Sequence, residues 1–422
     1  MPSHAAMFTG RLPRAVGLSD LPPGGGGCRS VLEANRDRIL PEVLRRAGYE
    51  TKGASANAWV SNGHGFSTGF DTFVDVLGRR STGIAATNWS ARLRWAYESL
   101  RAHVDDGAEA ASEIVDAWLA ESPQRPFFWF FNLVECHSPY MPPRPWNDLG
   151  PVQRLRSGWD ARRHLTLESI WRTCAHEFDI SDDALARMRH LYARSVTSMD
   201  AWIATLLSRL DEQRLLEDTA VIVTSDHGEN LGEGQLIGHA FSLDQRLVHV
   251  PLVIAGPDAI DLPPLFSTMH LPGLVGDIAG LTANPWVRDA PVLPDGVAVA
   301  QYDAIIGSED PRLEQITRLW SLDEDGRSTF CQPMTAATDG HRKLVRHGMR
   351  LRLYDLDTDP GEMSPLDVVD PAALGTDVAR LAEALTRSDA ADADPEAIAL
   401  LTTGHPEPDK ALVDRLRLLG YM

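Results

Sequence analysis

The 422 residues carry 40 Lys and Arg against 59 Asp and Glu, a net charge of −19, which repels nucleic acid and anionic membranes and sets both aside as partners. No apolar run reaches a membrane-spanning length, and no basic-then-apolar signal segment opens the chain. Cys28, Cys136, Cys174 and Cys331 are scattered, lack metal-ligand spacing and are too few for a disulfide scaffold, so they are expected to be buried or free thiols of a reducing, cytoplasmic compartment.

Along the chain, apolar strands alternate with helical stretches, the pattern of a layered α/β domain, and the length allows one large domain plus a smaller one. Ser3 is placed to cap a short helix from His4 to Thr9. After a loop at Pro22 to Gly27, a helix is expected from Ile39 to Ala47, ended by Gly48, and a strand from Glu50 to Ser55. Asn88 to Ala120 reads as helix, interrupted near Asp105-Asp106-Gly107, and a strand starts at Phe127. The polar segment from Pro142 to Ile180 shows no regular core element and is expected to cover the site. Asp183 to Leu210 reads as a helix, and apolar strands at Ala220 and Val248 are expected to close the main sheet. From about Pro291 the texture turns to short strands, Gly296 to Gln301, His341 to His347 and Arg350 to Tyr354, then helices over Pro371 to Thr386 and Asp409 to Leu419. The expected division is an α/β catalytic domain, residues 1–290, and a small antiparallel subdomain, residues 291–422.

The most informative stretch is Asp218-Thr-Ala-Val-Ile-Val-Thr-Ser-Asp226-His227-Gly228-Glu229, where a β-branched run empties into an acid and an imidazole. It reads as a buried strand delivering metal ligands to its carboxyl end. Gly238-His239 precedes the apolar Val248 to Ile254 and can return a histidine to the same edge. A third follows Phe127-Phe-Trp-Phe-Phe-Asn-Leu-Val134, where the Pro139-Tyr140 turn would expose His137. Three other groups have plainer readings: His249 as a core histidine inside a strand, and Glu229 and Glu233 as solvated loop acids.

These motifs, with Met1-Pro-Ser-His4-Ala-Ala-Met-Phe-Thr9-Gly10-Arg11 at the start and Leu353-Tyr-Asp-Leu-Asp-Thr-Asp-Pro-Gly-Glu362 and Leu416 to Tyr421 towards the end, resemble the sulfatase branch of the alkaline phosphatase superfamily across almost the whole chain. The resemblance implies a three-layer α/β sandwich around a mainly parallel sheet, with a small C-terminal antiparallel subdomain. It implies hydrolysis of a small-molecule or carbohydrate sulfate ester, with a phosphoester or phosphonate hydrolase or transferase, or a non-catalytic binding protein, as alternatives. Asp226 and His227 match the metal-ligand pair of the family, which usually holds Ca²⁺; the imidazole leaves Mn²⁺ or Zn²⁺ open. His137 and His239 match positions that contact the sulfate or protonate the leaving group. His4 replaces the Arg of the family signature, and either lines the site or only packs against Met7 and Phe8. Asn57 stands where many relatives have a lysine. The nucleophile of the signature would fall one residue before Met1, and the upstream strand and acid pair before that. The 422-residue form is therefore expected to bind divalent metal weakly and to turn over little. Nothing in the sequence sets an oligomeric state.

Overall fold

The computed structural model describes residues 1–18, 25–76, 89–102, 105–123, 126–256, 260–286, 296–304 and 306–390. The expected helix over Asp409 to Leu419, the Leu416 to Tyr421 segment and the expected boundary at 290/291 lie outside these residues, as do Pro22 to Gly24 of the expected loop; its other half, Gly25 to Gly27, opens a helix instead.

The first half is built of α1 (Pro2–Thr9), α2 (Pro13–Val16), α3 (Gly25–Ala34), α4 (Leu40–Arg46), β1 (Glu50–Ser55), β2 (Thr72–Asp75), α5 (Trp89–Arg101), α6 (Ala108–Glu121) and β3 (Phe127–Asn132). β1 pairs in parallel with both β2 and β3, and Ser55 lies opposite both Asp75 and Asn132, so all three strands end at one edge. Parallel strands with helices between them are the α/β arrangement the alternating pattern predicts. Met7 and Phe8 of α1 pack with Phe66, and Phe130 of β3 joins the cluster. That contact brings the first turn of the chain to the sheet. The helix starts two residues earlier than expected: Pro2 occupies its first position, where the missing N–H costs nothing, and Ser3 lies inside the helix with no capping bond.

The segment expected to lack regular structure instead forms α7 (Pro151–His164) and α8 (Leu167–Cys174). The buried face of α7 consists of Arg154, Ser157, Gly158, Asp160, Ala161 and His164, while Trp159 is exposed. No apolar stripe marks such a helix. α8 is capped by Thr166, whose side chain accepts the Ser169 N–H. α9 (Asp182–Glu212) follows, with Ser181 as its cap. Trp95, Tyr140, Met141, Ala161, Leu165, Met188, Leu191 and Ile237 form one core cluster, which anchors the chain after His137 beside the residue preceding Gly238-His239.

β4 (Val221–Thr224), β5 (Asn230–Leu231), β6 (Ile237–Gly238), α10 (Gln245–Val248) and β7 (Leu252–Ala255) come next. β4 and β7 pair antiparallel with each other, and β5 with β6, as ladders separate from β1–β3. Contrary to the expectation that they close the main sheet, they form no ladder with β1–β3 among the described residues. Val248 ends a short helix and β7 starts only after Pro251, which has no N–H to give to a ladder. His249 is consequently exposed rather than in the core.

After α11 (Leu271–Ile278) come β8 (Ala298–Tyr302), α12 (Pro311–Leu319), α13 (Glu324–Cys331), β9 (Met334–Thr338), β10 (Arg342–His347), β11 (Arg350–Asp355), β12 (Leu366–Val368) and α14 (Thr376–Ala390). The five strands form an antiparallel sheet in the order β12-β11-β10-β9-β8. Leu381, Ala384 and Leu385 of α14 pack on Ala337 and Leu344 of this sheet. Arg14 of α2 ties the N-terminal part to it, bonding Asp303, Thr335 and Asp389. All four cysteines are free thiols, and among the described residues no helix is long and apolar enough to cross a membrane.

Candidate active site

β4 delivers Asp226 and His227 just past its carboxyl end, as its β-branched run predicts. Asp226 Oδ1 accepts the His227 N–H at 3.1 Å, while Oδ2 lies 3.5 Å from His4 Nδ1 and 3.6 Å from His227 Nε2. His227 Nδ1 lies 2.8 Å from the Gly228 carbonyl and donates to it, which leaves Nε2 as the ring nitrogen available to a ligand. The side chains of Asp226 and His227 remain 21% and 32% exposed. An ionised carboxylate and a free imidazole lone pair facing solvent suit a divalent cation. They are two donors only. Among the described residues no set of three or more His, Cys, Asp or Glu side chains is arranged around a common metal position.

The other two expected histidines meet at the same place. His137 Nε2 lies 3.2 Å from His239 Nε2, and the His239 ring stands 4.3 Å from that of His227. His137 Nδ1 lies 2.8 Å from the Ser138 carbonyl and donates to it, so His137 Nε2 accepts and His239 Nε2 donates. Burial, then His227 and His137, push the His239 pKa well below the ordinary value. The pair thus carries one proton between its Nε2 atoms. His4 is different: it is 4% exposed, its ring stands edge-on to Phe66 and Phe130, and burial pushes its pKa down to about 4. It sits behind Asp226 as a neutral ring.

Burial on its own would raise the Asp226 carboxyl, but His227 and His4 together hold it well below the usual carboxylate range. Glu229 is the group the sequence reading missed. Rather than a solvated loop acid it is a sequestered carboxyl, pushed up to about 7 by burial, bonded to the Ser138 amide and set beside the Tyr140 hydroxyl. Its place in Asp-His-Gly-Glu, next to two ligand candidates, was the available signal. Glu233 does behave as a loop acid, pairing with Arg189 at 3.2 Å. Asn57 is satisfied locally, its Oδ1 accepting the Trp59 N–H at 2.9 Å.

A family model described as Sulfatase matches residues 1–262. The chain belongs to the sulfatase family. It is 26% identical over 268 residues to a choline-sulfatase of Rhizobium meliloti, covering 58% of this chain and 47% of that protein. A sulfatase of Formosa agariphila is 24% identical over 284 residues, 61% and 54% of the two chains. The chain thus spans about half the length of the curated relatives it matches. Among solved structures, a phosphonate monoester hydrolase from Silicibacter pomeroyi superposes with a TM-score of 0.59 at 19% identity, covering 93% of this chain and 86% of that one. A protein solved with its substrate D-glucosamine-2-N,6-O-disulfate gives 0.58 at 15% identity, covering 92% and 87%. At such identities these two likenesses speak for the shared α/β fold alone.

Proposed function

We propose that the chain takes part in metal-dependent hydrolysis of sulfate esters, with His137 and His239 as the catalytic pair. The observation that carries this reading is the 3.2 Å imidazole pair set against Asp226 and His227 in a chain of the sulfatase family. Asp226 and His227 would hold a divalent cation, Ca²⁺ before Mn²⁺ or Zn²⁺, which would supply charge neutralisation at the sulfuryl oxygens. The sulfuryl group passes to an oxygen nucleophile, the S–O bond to the alcohol breaks, and the departing alkoxide takes the proton held between His137 and His239. No residue within 1–422 is assigned as that nucleophile. His4 keeps Asp226 in place from behind, as a neutral neighbour rather than a substrate contact. The named substrate of one relative, choline sulfate, and the disulfated glucosamine bound by one structural neighbour support a small organic or carbohydrate ester as substrate.

The test is hydrolysis of an aryl sulfate, an aryl phosphate and a phosphonate monoester by chelator-treated protein, before and after adding Ca²⁺, Mn²⁺ or Zn²⁺. Metal-restored turnover of the sulfate in preference to the others supports the reading. Preference for the phosphate or phosphonate moves the same site to phosphoryl chemistry. Absence of turnover with all three, while the esters still bind, leaves a binding protein.

A further inference from the structure

A cavity of about 610 Å³ opens where the end of α5 meets the first turn of α7, lined by Leu100, Arg101, Ala102, Arg144, Pro151 and Arg154. None of these residues belongs to the cluster around Asp226. Three of the six are arginines, in a chain whose net charge is −19. Arg154 is 4% exposed and its Nε has no hydrogen-bond partner. Among the described residues no carboxylate lies within ion-pair distance of Arg154 or Arg144. Instead, burial and then the Arg144 guanidinium push the Arg154 pKa down, the mark of two like charges brought together. The nearest acid along the loop, Asp148, is already paired with His190 at 2.6 Å and lies 3.6 Å from Arg194.

The surroundings hold these groups in place rather than neutralise them. The Arg144 N–H donates to the Ala102 carbonyl at 2.9 Å, fixing the loop to the end of α5. Arg101 Nη1 donates to the Tyr97 hydroxyl at 2.6 Å. Arg154 stands in the first turn of the 14-residue α7, where unpaired amides add positive potential. A buried guanidinium without a counter-charge is costly, and one facing a cavity beside a second guanidinium is a half-built ion pair.

We propose that this cavity is an oxyanion-binding site, in which Arg144 and Arg154 clamp a doubly charged tetrahedral group, a phosphate or a sulfate, with Arg101 at the rim. Guanidinium forks match the oxygens of such a group and bind it through paired charge-assisted hydrogen bonds. The proposal stands whether or not the Asp226 cluster is catalytic.

The probes are inorganic phosphate, inorganic sulfate, glucose 6-phosphate and glucose 6-sulfate, read by thermal melting and by calorimetric titration. Chelator is present throughout, and each titration is repeated on the His239→Ala protein, so that binding at the metal cluster is subtracted. Phosphate or sulfate is expected to raise the Tm, less so as NaCl increases. Arg144→Gln should leave the ligand-free Tm unchanged and weaken the anion by roughly tenfold or more. Arg154→Gln should abolish the anion-induced shift while keeping or raising the ligand-free Tm, because it removes an uncompensated buried charge. A merely structural arginine would lower that Tm instead. Arg154→Lys, which keeps the charge but loses the fork, should bind weakly. Stronger binding of the sugar esters assigns the group to a larger ligand; equal binding of the inorganic ions assigns it to the free anion. The proposal is overturned if no anion shifts the Tm, or if the shift survives both Arg144→Gln and Arg154→Gln.

Discussion

Asp226 and Glu229 stand three residues apart on one loop, and their carboxyls are pushed in opposite directions. Burial raises both; His227 and His4 lie close enough to Asp226 to reverse the effect, whereas Glu229 keeps a carboxyl pushed up to about 7. Asp226→Ala is therefore expected to remove divalent-metal affinity together with any turnover, since His227 alone is one neutral donor. His137→Ala and His239→Ala should spare metal affinity and lower turnover by roughly two to four orders of magnitude, the range for losing a positioned proton donor or oxyanion contact. Metal titration and ester turnover measured side by side on the three variants separate the roles; near-full activity in both histidine variants would remove them from the pocket. A second carboxyl, away from this cluster, sets a pH dependence. Glu135 is 8% exposed, accepts the Ala108 N–H at 2.6 Å, and is raised from 4.5 to about 7 by burial and then by Asp106. Across that window the folded chain keeps a proton that the unfolded chain has released. Stability should thus fall as pH rises through it, by up to roughly 3 kcal/mol, and Glu135→Gln should flatten the fall. Urea unfolding at pH 5 and pH 8 measures it; an equal slope in both proteins would refute the assignment.

α7 shows how an element escapes a sequence reading and still carries the packing. It lies against α5 because residue 158 is glycine: a Cβ there would meet Ser99 Oγ at 2.2 Å and Ser99 Cβ at 2.7 Å, and the Gly158 carbonyl accepts Trp95 Nε1 at 2.7 Å. Gly158→Ala is expected to lose about 1–2 kcal/mol despite its better helix propensity, because the clash outweighs the gain. Ser99→Gly in the same chain should recover most of that loss, which urea midpoints will show. β1 lies at Glu50 to Ser55 as expected, directly after the Gly48 that ends the preceding helix, and α9 was legible because its cap and long period are plain. α7 was illegible because its contacts are made by Gly, Ser and buried charge, so its hydrophobic period points to solvent. β7 was misplaced for a related reason: Val248 to Ile254 is apolar except for His249, and only Pro251 marks where pairing can begin. At the site, the strand-end position of Asp226 and His227 followed from local pattern, and His137 and His239 from the family resemblance. The burial of Glu229 did not, since it depends on Tyr140 and Ser138, about ninety residues away.

At the scale of the whole molecule, the C-terminal sheet supports the site through a buried ion pair. Lys343 of β10 and Glu362 lie 2.7 Å apart, each 1% exposed, and both grip the segment before β7: Lys343 Nζ bonds the Leu243 carbonyl, and Glu362 Oε2 accepts the Gln245 N–H at 2.5 Å. That segment in turn backs the ligand loop, where the Leu247 carbonyl accepts the Gly228 N–H at 2.8 Å and the Arg246 carbonyl leaves no room for a Cβ on Gly228. A path of three contacts therefore runs from the antiparallel sheet to His227. Replacing Glu362 by Gln strands a buried ammonium, an effect that typically costs about 3–5 kcal/mol. Lys343→Met with Glu362→Leu removes both charges and should recover much of that stability. The double variant, however, loses the bonds to Leu243 and Gln245, so its metal affinity and turnover should stay reduced although its melting temperature returns. If stability and metal affinity return together, the pair only fills the interface, and the route from Glu362 to His227 carries no positioning role.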